Sequence, residues 1–264
     1  MKTHMDGDNG EMKIKPLKIR DIKIGEGIPK ICIPITGCTK EEIRKEAEAL
    51  KELPADMVEW RADWFEEVFD GEKVKEILAG LRKTLGNLPL LFTFRTASEG
   101  GEKEAEGAEY ERLNQTAVSS GCVDLIDVEL FAGDAVVERM IRNAHESGVK
   151  VVASNHDFYK TPEKGELIRR LCKMQELGAD ILKVAVMPQN RQDVLTLLAA
   201  TEEMNRIYAQ RPVVTMSMSE MGMISRLCGQ IFGSAITFGS AGKASAPGQM
   251  KAEELKTVLT ILGK

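Results

Sequence analysis

No apolar run in the 264 residues approaches the roughly 18 that a membrane helix needs, so no membrane partner is expected. The first 16 residues, MKTHMDGDNGEMKIKP, lack the apolar centre of a signal peptide. They read as a disordered leader or an expression remnant. The five cysteines, Cys32, Cys38, Cys122, Cys172 and Cys228, are odd in number and form no CxxC pair. Disulfide scaffolds and structural zinc are therefore disfavoured, and a reducing cytoplasm is expected. Histidine is scarce: His4, His145 and His156 leave little room for a His-rich metal site. Positive charge is not in excess, with 36 basic against 41 acidic residues and a net charge of −5. That argues against a nucleic-acid partner but leaves room for a local basic site that takes a small anion. After the first strand-like run stands ITGCTKEE (35–42), without the GxGxxG turn of a dinucleotide-binding sheet. There is no linker, low-complexity tract or second domain, so residues 17–264 read as one domain.

What is present is regular. Apolar residues make up 43% of the chain, enough for a large core. Strand-like runs begin near Ile31, Met57, Leu90, Val123, Val149, Ile181, Val213 and Ala235. They recur on average about every 29 residues, the length of one βαβ unit. Each is followed by a helical stretch. Thr39 to Glu42 forms a capping box and Asp70 caps the helix that Gly86 ends, while Gly121, Gly148 and Gly178 stop three more. Thr161-Pro162 reads as another helix start, and Ser219 and Ala246-Pro247 as openings of the last two. Eight alternating units predict an α/β fold, a (β/α)8 TIM barrel. LKIRDIKIG (17–25) alternates ahead of it, as a β-hairpin closing the bottom of the barrel would.

Strands of a parallel barrel are buried on both faces, so charge within them is expensive. Parity assigns Glu59 and Arg61, Thr93 and Arg95, Asp127 and Glu129 (after Val123 and Leu125), Ser154 and His156, and Lys183 to the barrel axis. Most stand toward the C-terminal strand ends, where barrel enzymes carry their chemistry. Lys183, between Leu182 and Val184, is either a desolvated amine that attacks a carbonyl to form an imine or a buried cation paired with Asp127 or Glu59. His156, one strand earlier, suits general acid–base work; the plainer reading is a packed or exposed loop histidine. His145 lies mid-helix and reads as surface. Glu99 either orients His156 or solvates a loop. Arg61, Arg95 and Arg226 are candidates to hold an anionic substrate, although each singly would be an ordinary ion pair. GSAGKASAPGQ (239–249) has the composition of a closing loop or of a phosphate-binding one, and Met216, Met218, Met221 and Met223 read as core and lid packing.

At these residues the chain resembles the type I 3-dehydroquinate dehydratases of the shikimate pathway, from about Lys18 onward. The resemblance rests on seven motifs in order: GEGIPKICIPI (25–35), EWRAD (59–63), TFRTASEGG (93–101), SNHDF (154–158), ILKVAVMP (181–188), MSMSEMGMISR (216–226) and KASAPGQ (243–249). It implies a metal-free, cofactor-free hydro-lyase, a homodimer, that turns 3-dehydroquinate into 3-dehydroshikimate by syn elimination of water. It implies that Lys183 forms a Schiff base with the C3 ketone and that His156 moves the C2 proton to the leaving C1 hydroxyl, oriented by Glu99. It further implies that Arg226, Ser245 and Gln249 hold the substrate carboxylate, while Glu59, Arg61 and Arg95 contact ring hydroxyls or order the site. One departure is Pro34, where some members carry a substrate-touching serine. The competing readings are a lysine-imine class I aldolase acting on a sugar phosphate and a non-catalytic metabolite-binding module on the same scaffold.

Overall fold

The computed structural model describes residues 14–105, 107–242 and 246–263. Strands β1 (Leu17–Ile19) and β2 (Ile22–Ile24) pair antiparallel as a hairpin, with Arg20 left-handed in its turn. Eight parallel strands follow: β3 (Lys30–Ile35), β4 (Met57–Arg61), β5 (Leu90–Thr93), β6 (Leu125–Glu129), β7 (Lys150–Asp157), β8 (Ile181–Val186), β9 (Val213–Ser217) and β10 (Ile236–Phe238). They run in the order β10-β3-β4-β5-β6-β7-β8-β9. Helices α1 (Lys40–Ala49), α2 (Gly71–Leu85), α3 (Gly107–Ser119), α4 (Asp134–Glu146), α5 (Lys164–Glu176) and α6 (Arg191–Glu203) cross between them. Two short helices, α7 (Ile224–Leu227) and α8 (Gly229–Phe232), separate β9 from β10, and α9 (Ala252–Leu262) ends the described chain. This is the expected (β/α)8 barrel.

Two apolar layers hold it. The outer one lies between sheet and helices, with Trp60, Phe92 and Phe94 fully buried against residues such as Leu78, Leu113 and Leu171. The inner one fills the lower half of the barrel with Cys32, Met57, Leu91, Leu125, Val152, Ile181, Val214 and Ile236. Ile19 and Ile24 of the hairpin join that inner layer from below, so the hairpin is the plug the alternation predicted. Burying such a side chain stabilises by about 1.5–3 kcal/mol. The polar positions of the same strands are thereby pushed into the upper half.

The ring is closed unevenly. At its lower rim β9 and β10 meet, with Val213 bridging Ser234 and the Ala235 N–H donating to Val213 O at 2.8 Å. At the upper rim α7 is wedged between them. Ser225 Oγ accepts from Ser217 N at 2.8 Å, and Thr237 Oγ1 donates to Arg226 O at 2.9 Å.

Several local boundaries differ from expectation. β6 starts at Leu125, and Val123 packs in the outer layer. Helix α5 begins at Lys164 rather than at Pro162, because Thr161 Oγ1 donates to Met187 O instead of capping. Ser219 opens no helix; it sits in a left-handed turn (φ 62°) and α7 starts at Ile224. Pro247 lies at the barrel mouth, its carbonyl accepting from Arg226 Nη2 at 3.1 Å, and α9 starts only at Ala252. Of the predicted leader, residues 1–13 lie outside the described residues. Ile14 packs against the core, and Lys15 N–H donates to Gln210 O.

Candidate active site

The upper half of the barrel encloses a cavity of about 210 Å³. That is smaller than the roughly 300–1,000 Å³ of pockets for drug-sized ligands and suits one small metabolite. Glu59, Arg61, Arg95, Glu99, His156, Lys183, Arg226 and Gln249 all line it. Ser245, the remaining predicted contact, lies outside the described residues. A larger groove of about 420 Å³ between α1 and α2 contains none of the candidates. Pro34 does not line the cavity.

Lys183 is 4% exposed. Its Nζ stands 3.7 Å from both Glu59 Oε1 and Asp127 Oδ2. Those distances allow Coulomb attraction but exceed hydrogen-bond range. The ammonium also lies 4.5 Å above the Phe238 ring, a cation–π contact. The plain pairing reading and the reactive reading therefore meet here: the amine has counter-ions but is not locked to either. Thr93 Oγ1 donates to Glu59 Oε1 at 2.9 Å and fixes that carboxylate.

His156 ends the inward row of β7. Its backbone N–H donates to Glu99 Oε2 at 2.9 Å, and its Nδ1 lies 3.0 Å from the same oxygen. Nε2 is left for the cavity. Burial, then the charges of Arg95, Lys183 and Arg61, hold the imidazole well below its usual pKa, which favours the neutral form. Glu99 itself is pushed up to about 8: burial dominates, Arg95 opposes it and Glu129 adds to it. Its turn, Ala97–Glu99, is followed by two glycines. Gly100 is left-handed at φ 83°, and a Cβ there would fall 2.2 Å from the Phe158 ring. At Gly101 a Cβ would fall 1.9 Å from Arg95 O.

The three arginines are not equivalent. Arg61 is bidentate on Asp63 at 2.8 and 2.9 Å. Arg95 donates to Glu129, Asp127 and Ser154 at 2.8, 2.8 and 3.0 Å. Arg226 has no carboxylate partner among the described residues. Its Nη2 reaches Pro247 O, its Nη1 lies 3.6 Å from Met216 Sδ, and its buried Nε lacks a partner among the described residues. Burial alone lowers its pKa to about 10. A desolvated guanidinium at the mouth, with no carboxylate beside it among the described residues, has donors to offer an anion.

Sequence parity missed Phe238, although β10 alternates and its inward positions are Ile236 and Phe238. It assigned Met216 and Met218 to packing only, whereas both also line the cavity. Asp63, which holds Arg61 and accepts from the Arg95 and Glu102 N–H groups, carried no periodic signal because it lies in a turn after β4. Among the described residues no group of three His, Cys, Asp or Glu is placed to hold a metal, and no helix is long and apolar enough to cross a membrane.

The profile of the type I 3-dehydroquinase family matches residues 31–264. A 3-dehydroquinate dehydratase of Clostridioides difficile is 56% identical over 250 residues, 95% of this chain and 98% of the relative. One from Salmonella paratyphi B is 53% identical over 249 residues, 94% and 99% of the two chains. Among solved structures, the type I enzyme of Clostridium difficile with covalently modified comenic acid superposes with a TM-score of 0.92, covering 95% of this chain and 98% of that one at 56% identity. The 3-dehydroquinate dehydratase of Geobacillus kaustophilus gives 0.91, covering 96% and 98% at 41% identity.

Proposed function

This chain belongs to the type I 3-dehydroquinase family, and from that premise we propose how its own residues carry the reaction. The activity is that of a 3-dehydroquinate dehydratase, a hydro-lyase of the shikimate pathway. The aldolase alternative is not favoured: the family match extends through the cavity-lining strands and the mouth.

Lys183 Nζ adds to the C3 ketone and expels water, leaving a protonated imine. Glu59 and Asp127, each 3.7 Å away, are placed to take the proton the ammonium gives up. His156 Nε2 then removes a C2 proton. A ketone's α-proton is too weakly acidic for imidazole, but the iminium nitrogen accepts the C–H electron pair as an enamine. The enamine expels the C1 hydroxyl, which leaves as water with the proton His156 holds. Hydrolysis of the imine frees 3-dehydroshikimate and restores the amine. Arg226, with Gln249 and Ser245, holds the substrate carboxylate and sets the ring over Lys183; such orientation lowers a barrier by several kcal/mol. Arg61 and Arg95 order the wall through their carboxylates.

The observation that carries this reading is a 4%-exposed lysine amine opening on the same small cavity as the imidazole of His156 and the guanidinium of Arg226. Borohydride added with 3-dehydroquinate should trap one substrate-derived adduct on the peptide containing Lys183. Lys183→Met should abolish both the adduct and the enone absorbance of turnover. Full turnover without an adduct overturns the imine route. A homodimer is supported by the exposed Met221, Ile224 and Ile231 around α7 and α8, and sedimentation velocity tests it. A reducing, cytoplasmic setting is supported by five free cysteines.

A further inference from the structure

Behind the Glu99–His156 pair a line of contacts runs out through the barrel wall. Asn155 lies between Ser154 and His156 in β7, so its side chain points to the helix layer. It is 2% exposed. Its Nδ2 donates to Glu99 Oε1 at 3.0 Å, on the oxygen not used by His156. Its Oδ1 accepts from Arg170 Nη1 of α5 at 2.7 Å. Arg170 is held in turn by Glu166 Oε1 at 2.7 Å and by the Phe131 ring at 5.3 Å. A guanidinium only donates, so it settles which end of the amide faces it and turns the NH2 group onto Glu99.

We propose that Arg170, outside the barrel, is a positioning residue that acts through Asn155 to keep Glu99 a hydrogen-bond acceptor and so fixes the tautomer in which His156 Nε2 is free to take a proton. The chemistry leaves two states. With an ionised Glu99, Nδ1–H donates to Oε2 and Nε2 carries the lone pair. With a protonated Glu99, the carboxylic acid donates to Nδ1, and the ring hydrogen sits on Nε2, where it blocks the base. The groups around Glu99 make this balance close. Arg95, from its own segment, lies 3.6 Å away and favours the charge; Glu129 of β6 and burial oppose it; His156 and Asn155 of β7 donate to it. Lys183 of β8 and Arg61 of β4 share the cavity wall. Burial pushes the Glu99 carboxyl up to about 8, so the ionised form is the minor one at neutral pH, and losing one of its donors makes it scarcer still.

This inference rests on His156 being the base in the reaction above. The test compares the pH profiles of kcat for wild type, Arg170→Met, Arg170→Lys and Asn155→Asp. Arg170→Met leaves the amide free to turn. Asn155→Asp keeps an ion pair with Arg170 but sets a carboxylate against Glu99. Both should move the acid limb of kcat upward by about one pH unit and lower kcat at pH 7 about tenfold, with KM changed less than about threefold. Arg170→Lys, still a donor to Asn155 Oδ1, should return the limb toward wild type. A limb that stays in place in Arg170→Met, whether kcat is unchanged or lowered equally at every pH, overturns the proposal. Should Arg170→Met fail to fold, Arg170→Leu is read in its place. Failure of the underlying reading is separate: it shows as a wild-type chain that forms no borohydride adduct, or as a fully active His156→Ala.

Discussion

Arg226 and Arg95 are both buried guanidiniums in the cavity wall, and their surroundings give them opposite tasks. Arg95 satisfies Asp127 and Glu129, so removing it would leave buried Glu129 without its guanidinium and Asp127 with only the more distant Lys183, a strongly destabilising change. Arg226 carries a charge with no carboxylate beside it among the described residues. Arg226→Gln should raise KM about 10- to 100-fold, the loss of a charge-assisted contact, while thermal stability is kept or improved. Steady-state kinetics and a melting curve check both parts together. Glu99 offers a test of sign. Its folded pKa of about 8 exceeds the carboxylate value of 4.5, so the folded state prefers the protonated form. Its contribution to stability is complete below 4.5 and is lost as pH rises toward and through 8. Glu99→Gln mimics that form. Its melting temperature, compared with wild type, should gain steadily from pH 5 to pH 8.5 and then level off, while its kcat falls.

At the scale of elements, the hairpin β1–β2 contributes stability without touching the chemistry. Ile24 is fully buried in the lower half of the barrel, at the end opposite Lys183. Ile24→Ala should cost about 2–5 kcal/mol, read as a lower urea midpoint, with kcat and KM unchanged under conditions where the protein stays folded. The alternation of LKIRDIKIG made this element legible, as the recurrence of apolar runs made the eight strands legible. The inward rows were readable too, since parity alone separates Glu59, Arg95, Asp127, His156 and Lys183 from Trp60, Phe92 and Leu182. What stayed hidden depends on contacts between segments distant in sequence. Thr161 looked like a cap until Met187 O claimed its hydroxyl. Arg61, Arg95 and Arg226 looked alike until their partners from other elements told them apart. Asn155 and Arg170 belong to this hidden class, because neither its place in β7 nor the i,i+4 spacing of Arg170 from Glu166 shows that they meet.

For the molecule as a whole, the joint between β9 and β10 matters most. Seven neighbouring pairs in the ring are continuous ladders, but these two strands touch through one bridge at the lower rim and are held apart above by α7. Hydrogen exchange should therefore be fastest among the barrel strands at Ile236–Phe238 and slowest in the long β7–β8 ladder. Equal protection around the ring would contradict this. The same wedge is what brings Arg226, a helix residue, into a mouth otherwise built from strand ends and the loops that follow them. Lengthening or shortening the crossing between Ser217 and Ile236 would thus change the aperture, and with it the size of acid admitted, while every ladder in the sheet kept its register.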